Sequence, residues 1–502
     1  ELASTAGEYM DYALERPSTR LIALFLETVR EPERFIAALE KARAREVPVV
    51  ALKVGRTPLS AKLVESHSGA LAGDDAAYQA LFDRYGVLRV DSLDELAATL
   101  LLFQQSPKAL PPGGLVTLHD SGGERELLID LAEARNVPFA QISEATAAKL
   151  SARLDPGLLP VNPLDAWGTG NDAYQIYADC MSAMMQDADA AIGAVVCDRL
   201  AEGAFFHEHA EVALKAMKAS GKPVVCWSNH QGSGDARDTV DYMRRHNLPV
   251  FDGVPALLAG VRALFAFRDF RPSGAPPAAD PAVVERWRTR LAAGGTLEEN
   301  EGLDLLADFG LPVVPRAVVA DRDAALEAAA AFGFPVVLKT SMPGIAHKSD
   351  VGGVKLGLAD AEAVGAAYDD LARRLGPRVL VAPMAGKGVE MILGVTRDAQ
   401  LGPTVLVGSG GIHAEILKDV VTARPPFDAA WARRLLDRLK LRRLLDGVRG
   451  APPADVAGLC EAAARLSVLA ASLGDVVKEI DVNPLIVGPD GCLAVDALVV
   501  AG

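Results

Sequence analysis

Four short stretches of this 502-residue chain set reactive side chains against glycines or helix-start signals. The first holds His67, in Glu65-Ser66-His67-Ser68-Gly69, between an apolar run at 47–54 and a helix-patterned segment at 70–85. A histidine at or near a helix N-terminus meets unpaired N–H groups and the positive end of the helix dipole, which suits a ring that carries a phosphoryl group. The same local pattern also describes a plain capping segment. In the second stretch Ser121-Gly122-Gly123 follows an apolar run at 115–118 and opens a helix pattern at 124–135, an order that lets backbone close on a phosphate. The third pairs Lys339, ending the run 334–339, with Gly352 and Gly353 in the polar loop 345–354; the loop would supply N–H donors and the lysine a point charge to a triphosphate. Either feature alone is common as plain structure. The fourth sets Asn483 and Asp496 on what reads as a hairpin around Pro489-Asp490-Gly491, two oxygen donors able to face one Mg²⁺ together with nucleotide phosphates.

These residues need parallel-sheet scaffolds for the first two sites. The run 21–26, with Glu27 at its carboxyl end, a helix pattern at 32–45 and the run 47–54 form a βαβ unit. Ligands of such sheets gather beyond the carboxyl ends of the strands, where Glu27 and the loop 53–56 both fall. A carboxylate there can orient a histidine and stabilise its charged form, although a surface acid at a strand end looks the same. A linker at 106–114 leads to a second doubly wound unit, with strands at 191–197 and 223–227, helices at 205–220 and 235–245, and a fixed turn at 161–165. The proline- and alanine-rich stretch 269–284 reads as an interdomain linker. Beyond it, strands at 354–358, 379–383 and 389–396, the last bearing Glu390, and a run at 402–411 ending in glycines suggest a third domain.

Length alone predicts about three domains. No run reaches the roughly 18 uninterrupted apolar residues of a membrane span, and no basic-then-apolar leader opens the chain, so a soluble, cytoplasmic protein is expected. The five cysteines form no CxxC pair, which supports neither a disulfide framework nor a cysteine zinc site. With 51 Lys and Arg against 66 Asp and Glu, the net charge of −15 argues against nucleic acid or membrane partners. The opening has no methionine and no recognisable first strand, as expected of a fragment.

Together the stretches ALKVGRTPLSAKLVESHSGALAG, LHDSGGERELLIDLAE, VNPLDAWG, FPVVLKTSMPGIAHKSDVGGVKL, GPTVLVGSGGIHAEILKD and EIDVNPLIV with AVD resemble the NDP-forming acyl-CoA synthetases, relatives of ADP-forming acetyl-CoA synthetase and succinyl-CoA synthetase. The resemblance covers nearly the whole chain. It implies an α/β protein with two flavodoxin-like, doubly wound CoA-ligase domains followed by an ATP-grasp domain, at 1–107, 108–270 and 286–502, with a linker at 271–285. The family's CoA-binding Rossmann domain would precede Glu1, which leaves CoA binding by this chain in question, and no acetyltransferase module is expected after Asp496. Ser68 where threonine is common, and Leu401 where phenylalanine usually precedes Gly-Pro, depart from the family pattern.

Carried onto these positions, the resemblance makes His67 the phosphorylated histidine and Glu27 its carboxylate partner. Ser68 and Gly69, and Ser121, Gly122 and Gly123, lie where the two helices that face the phosphohistidine open. Lys339, Glu390, Gly352 and Gly353 become nucleotide contacts, Asn483 and Asp496 Mg²⁺ ligands, and His347 and Asp419 receivers of the travelling phosphoryl group at the ATP site. The implied activity uses ATP, Mg²⁺ and CoA: phosphorylation of His67, transfer to a carboxylic acid, and attack of the CoA thiol on the acyl phosphate. The substrate is a carboxylic acid, either acetate and other short acids or an aromatic acid such as a hydroxycinnamate, and a homo-oligomer is the expected assembly. A non-catalytic protein that binds nucleotide or acyl-CoA, and an ATP-grasp ligase joining carboxylate to amine, stay open as alternatives.

Overall fold

The computed structural model describes residues 4–62, 74–105, 110–198, 205–229, 237–345, 348–411, 419–448 and 450–502. The chain divides into two compact units, one made of Glu1–Ala70 and Tyr85–Arg271, the other of Leu71–Arg84 and Pro272–Gly502.

In the first unit, β1 (Ile22–Leu26), β2 (Val49–Lys53) and β3 (Leu88–Val90) form a parallel sheet in that order, with Leu26 opposite Lys53. A second parallel sheet is built from β4 (Gly114–His119), β5 (Leu164–Asp165), β6 (Ala190–Val196), β7 (Val224–Ser228) and β8 (Val250–Asp252), in the order β5-β4-β6-β7-β8. Strands β2, β4, β6 and β7 are buried along their whole length. That is why they read as continuous apolar runs and not as alternating ones. Two cores share alternate residues of β4: Val116 and Leu118 pack with Tyr177, Met181 and Met184, while Leu115 packs with Leu128, Trp227 and Leu264. Both faces are therefore covered. The strand order reverses between β4 and β6, which opens a crevice beyond their carboxyl ends. Asn162 fastens the turn expected at 161–165 to the sheet: its amide donates to the carbonyls of Leu115 and Ala140 at 2.9 and 3.0 Å and accepts from the Thr117 N–H at 3.0 Å.

The second unit is antiparallel. After the short β9 (Gly295–Thr296), the strands β10 (Ala317–Val319), β11 (Val336–Thr340), β12 (Val354–Leu358) and β13 (Val379–Pro383) pair in the order β10-β13-β11-β12. The helices Arg322–Phe332 and Ala361–Arg374 cover this sheet through Ala325, Ala329, Val364 and Leu371. A larger sheet follows from β14 (Val389–Asp398), β15 (Gly402–Ser409), β16 (Val420–Ala423), β17 (Val477–Gly488), β18 (Gly491–Ala494) and β19 (Leu498–Ala501), ordered β16-β15-β14-β17-β19-β9 with β18 on β17. The helix Val456–Leu473 is long and apolar enough to cross a membrane by composition, but 67% of it is buried, as in a core helix.

Three expectations change. Residues 74–84 lie in sequence between two strands of the first unit yet belong to the second, where Asp74 N–H donates to Asp398 at 2.8 Å, Arg438 pairs with Asp83 at 2.6 Å and Thr422 donates to the Ala76 carbonyl at 3.2 Å. The strand expected to end at residue 118 runs one residue further, so that His119 ends β4 and is fully buried. Asp496 was expected on a strand paired with that of Asn483, but β18 ends at Ala494 and Asp496 lies between β18 and β19.

Candidate functional site

At the end of β11 the Lys339 ammonium is gripped from three sides. It lies 2.8 Å from Glu299 Oε1, donates to the Val495 carbonyl at 2.7 Å, and is 3.3 Å from Asp496 Oδ2. The burial of Lys339 by itself would lower its pKa, but Asp496 and Glu299 outweigh that and hold it above the ordinary lysine value. Lys348 approaches the other Glu299 oxygen at 2.9 Å, outside hydrogen-bond alignment. The glycine loop folds back onto β11: Gly353 N–H donates to the Lys348 carbonyl at 2.7 Å, and the Thr340 N–H to the Gly353 carbonyl at 2.8 Å. A side chain at Gly353 would meet Thr340 Cγ2 at 2.7 Å, and Gly352 has φ +61°. Glycine is thus needed at both positions for different reasons, close approach at one and a left-handed backbone at the other.

Next to this grip lies a set of oxygen donors. Val495 N–H donates to the Pro484 carbonyl at 3.3 Å, so Asn483 and Asp496 flank one hydrogen bond although Asp496 is off the strand. Asn483 Oδ1 accepts from the Gly411 N–H at 3.0 Å. Asp481, two residues earlier on β17, has its pKa pushed up to about 6, first by burial and then by Glu479 and Asp496. Its Oδ1 is buried and has no hydrogen-bond partner. A carboxylate, an amide oxygen and a second carboxylate with one orphaned oxygen are the hard donors a divalent cation takes, so Asp481, Asn483 and Asp496 fit Mg²⁺. Sequence reasoning missed Asp481 and Glu299. For Asp481 the signal was present, a second acid at strand spacing from Asn483; for Glu299, 40 residues before Lys339, there was none.

Glu390 lies on β14 of the larger sheet, and Asp419 directly precedes β16. Glu390 Oε2 occupies the place a Gly411 side chain would take, 1.8 Å from its position, and the Glu390 carbonyl accepts from Gly410 N–H at 2.9 Å. Asp419 accepts from the N–H groups of Lys440 and Leu441 at 3.0 and 2.8 Å, a capping contact that occupies both oxygens.

In the first unit the helix Gly122–Ala134 starts at Ser121, whose extended backbone accepts from Arg125 N–H at 3.1 Å while its hydroxyl makes no capping bond. A side chain at Gly122 would sit 3.2 Å from Asp165 Oδ2, and one at Gly123 would meet nothing within 4 Å. Asp120, beside this helix start, has its pKa raised, chiefly by burial. Glu27 follows β1 directly and is half-buried. Lys53 lies one register step away, 2% exposed, with its ammonium donating to the Val54 carbonyl. It ends a buried strand, much as Lys339 lies one residue before the end of β11, and the sequence placed it at the start of the loop 53–56. His67, Ser68, Gly69 and His347 lie outside the described residues. Among the described residues no group of three or more His, Cys, Asp or Glu forms a ready metal cage.

Comparison with known proteins identifies the family. Residues 1–103 match the succinyl-CoA ligase like flavodoxin domain, and residues 289–500 match the ATP-grasp domain. A trans-feruloyl-CoA synthase of an unknown prokaryotic organism is 34% identical over 518 residues, which take in 99% of this chain and 71% of the relative. The ADP-forming acetate–CoA ligase I of Archaeoglobus fulgidus is 31% identical over 514 residues, 99% of this chain and 72% of the relative. Among solved structures, the dinucleotide forming acetyl-coenzyme A synthetase 1 of Ca. Korarchaeum cryptofilum, in complex with coenzyme A, Ca-AMPCP and HgCl+, is 32% identical with a TM-score of 0.41, covering 43% of this chain and 98% of its own. With this similarity along nearly its full length, the chain belongs to the family of ADP-forming acyl-CoA ligases.

Proposed function

We propose that the protein is an acid–CoA ligase that converts a carboxylic acid, CoA and ATP into an acyl-CoA, ADP and phosphate. The observation that carries this reading is the near-complete alignment with two such ligases, from the first unit through the ATP-grasp region. A carboxylate and a thiol do not condense in water, so the acid must first become an acyl phosphate. His67 is proposed to take the γ-phosphoryl group, with loss of ADP, and to pass it to the acid. The CoA sulfur then attacks the acyl carbon, the C–O bond to phosphate breaks, and the thiol proton leaves with phosphate.

Lys339 and the N–H groups around Gly352 and Gly353 are suited to hold the nucleotide phosphates, with Glu390 as a further nucleotide contact. Asp481, Asn483 and Asp496 would hold Mg²⁺, which when bound neutralises charge on the transferring phosphoryl group. In the first unit the helix start at Gly122 and Gly123 offers N–H groups to an anion, with space beside Gly123, and Glu27 is proposed as the carboxylate partner of His67. His347, next to Lys348, is assigned to the hand-over between nucleotide and His67. The Asp419 oxygens already cap a turn, which favours a structural share in its role.

The acid is not specified by this reading; relatives are named for ferulate, acetate and 4-hydroxybutyrate. Assembly from more than one chain and a cytoplasmic location belong to the same proposal. The assembly is supported by relatives of Pyrococcus furiosus named as separate alpha and beta subunits. Incubation with γ-labelled ATP and Mg²⁺ should label the protein with an acid-labile, alkali-stable phosphate that His67→Ala abolishes. Label that persists in that variant rejects the assignment. A panel of acids, including these three, assayed for CoA-dependent ADP formation identifies the substrate.

A further inference from the structure

The Glu299 side chain is 2% exposed in the first turn of the helix Glu299–Asp308. A buried carboxylate is tolerated only when its charge is matched, and here each oxygen faces a different ammonium: Oε1 faces Lys339 at 2.8 Å and Oε2 faces Lys348 at 2.9 Å. These two lysines come from different parts of the site. Lys339 is the penultimate residue of β11, whereas Lys348 stands in the glycine loop, directly after His347. We infer that Glu299 is a positioning residue of the nucleotide site, its carboxylate tying Lys339 to the loop that carries Lys348 and so holding both cations ready for phosphate.

The inference rests on the proposed ATP-dependent activity. Lys339 has two acidic partners, and they are not equivalent. Asp496 is 36% exposed and belongs to the oxygen set that fits a divalent cation, while Glu299 is buried and has no second task. If Asp496 turns toward a cation, Glu299 and the Val495 carbonyl remain to fix the lysine. The loop depends on the same residue. The Thr340 N–H bond to the Gly353 carbonyl closes it onto β11, and Glu299 adds the charged contact at its leading end. Replacing the carboxylate by an amide leaves two ammonium groups facing each other across a neutral side chain, which drives the loop lysine away from the strand lysine.

Glu299→Gln, Lys348→Met and the double variant of the full chain test this. Three quantities decide: KM for ATP, KM for CoA, and the rate of acyl-CoA formation from acyl phosphate and CoA without ATP. Glu299→Gln is expected to raise KM for ATP by about tenfold or more while KM for CoA and the ATP-independent half-reaction change by less than about twofold. The double variant should lose less than the two single losses combined, because both changes cut the link between Glu299 and Lys348. An unchanged KM for ATP overturns the inference, and so does equal loss of both half-reactions, which marks a residue that only supports the fold. Should Glu299→Gln fail to fold, Glu299→Asp takes its place, since the shorter carboxylate cannot reach both ammonium groups: a raised KM for ATP supports the tie and an unchanged one removes it. If the wild-type protein forms no ADP with any acid, the reading of function fails. Titration with a non-hydrolysable ATP analogue then still judges Glu299, weaker binding by Glu299→Gln supporting its role and equal binding overturning it.

Discussion

The two edges that can handle anions are built on opposite plans. In the first unit the parallel sheet offers backbone N–H groups at a helix start, and an added side chain at Gly123 would meet open space. In the second unit the antiparallel sheet offers charged side chains, and each is already engaged: Lys339 with Glu299, Asp496 and the Val495 carbonyl, Lys348 with Glu299. The difference follows from desolvation. A helix N-terminus open to water needs no internal partner, whereas a buried ammonium without a carboxylate would lose its charge. Substitution of the engaged lysines and their partners in the second unit should therefore cost both stability and activity, and substitution at the helix start activity alone.

The largest effect is expected from Lys339→Met. It strips Glu299 of its closest cation and should destabilise the protein by roughly 3 kcal/mol in denaturant unfolding. ATP-dependent activity should fall by about 100-fold or more. A variant of unaltered stability would mean that the carboxylates are satisfied without this lysine. Gly353→Ala comes next, since the new methyl would meet Thr340 Cγ2 at 2.7 Å; a loss of about 1–3 kcal/mol in the same measurement is expected.

Acid should expose a further contrast, inside the first unit. The pKa of His119, fully buried, is lowered to about 3, first by burial and then by Arg125. Its ring hydrogen-bonds Thr117 Oγ1 through Nε2 at 3.0 Å, and its Nδ1 has no partner. Unfolded histidine binds its proton near pH 6.5 while the folded ring stays neutral to about 3. Stability from this group is thus present above pH 6.5 and is lost as pH falls between those values. His119→Gln should flatten the acid side of a plot of Tm against pH, by up to a few kcal/mol in equivalent stability at pH 4. An unchanged slope would show that other groups set it.

Asp481→Asn should raise the Mg²⁺ concentration needed for half-maximal activity by about tenfold with little change in Tm, as expected for loss of one cation ligand. An identical Mg²⁺ requirement removes Asp481 from the set. The smallest structural effect belongs to Gly123→Ala, within about 0.5 kcal/mol of wild type because the methyl touches nothing. Transfer from phosphorylated protein to acid should nevertheless slow in this variant if an anion approaches that backbone. A full transfer rate would leave the helix start without a ligand role and erase the contrast.

Much of this was written along the chain. Strands β2, β4, β6 and β7 were legible because burial on both faces demands unbroken apolar runs, and the helix opening at Gly122 because two glycines follow a strand. Residue types with local consequences, such as Lys339 near the end of a strand and Gly352 at positive φ, were likewise readable. Tertiary structure alone decided the rest. Glu299 meets Lys339 from 40 residues away, residues 74–84 join the other unit through Asp83 and Arg438, and the Asp481 pKa rises to about 6 because folding buries it beside Glu479 and Asp496. Periodicity reports which face of an element turns inward, but the partner of a buried charge is set by which elements pack together, and nothing in the local spacing carries that information.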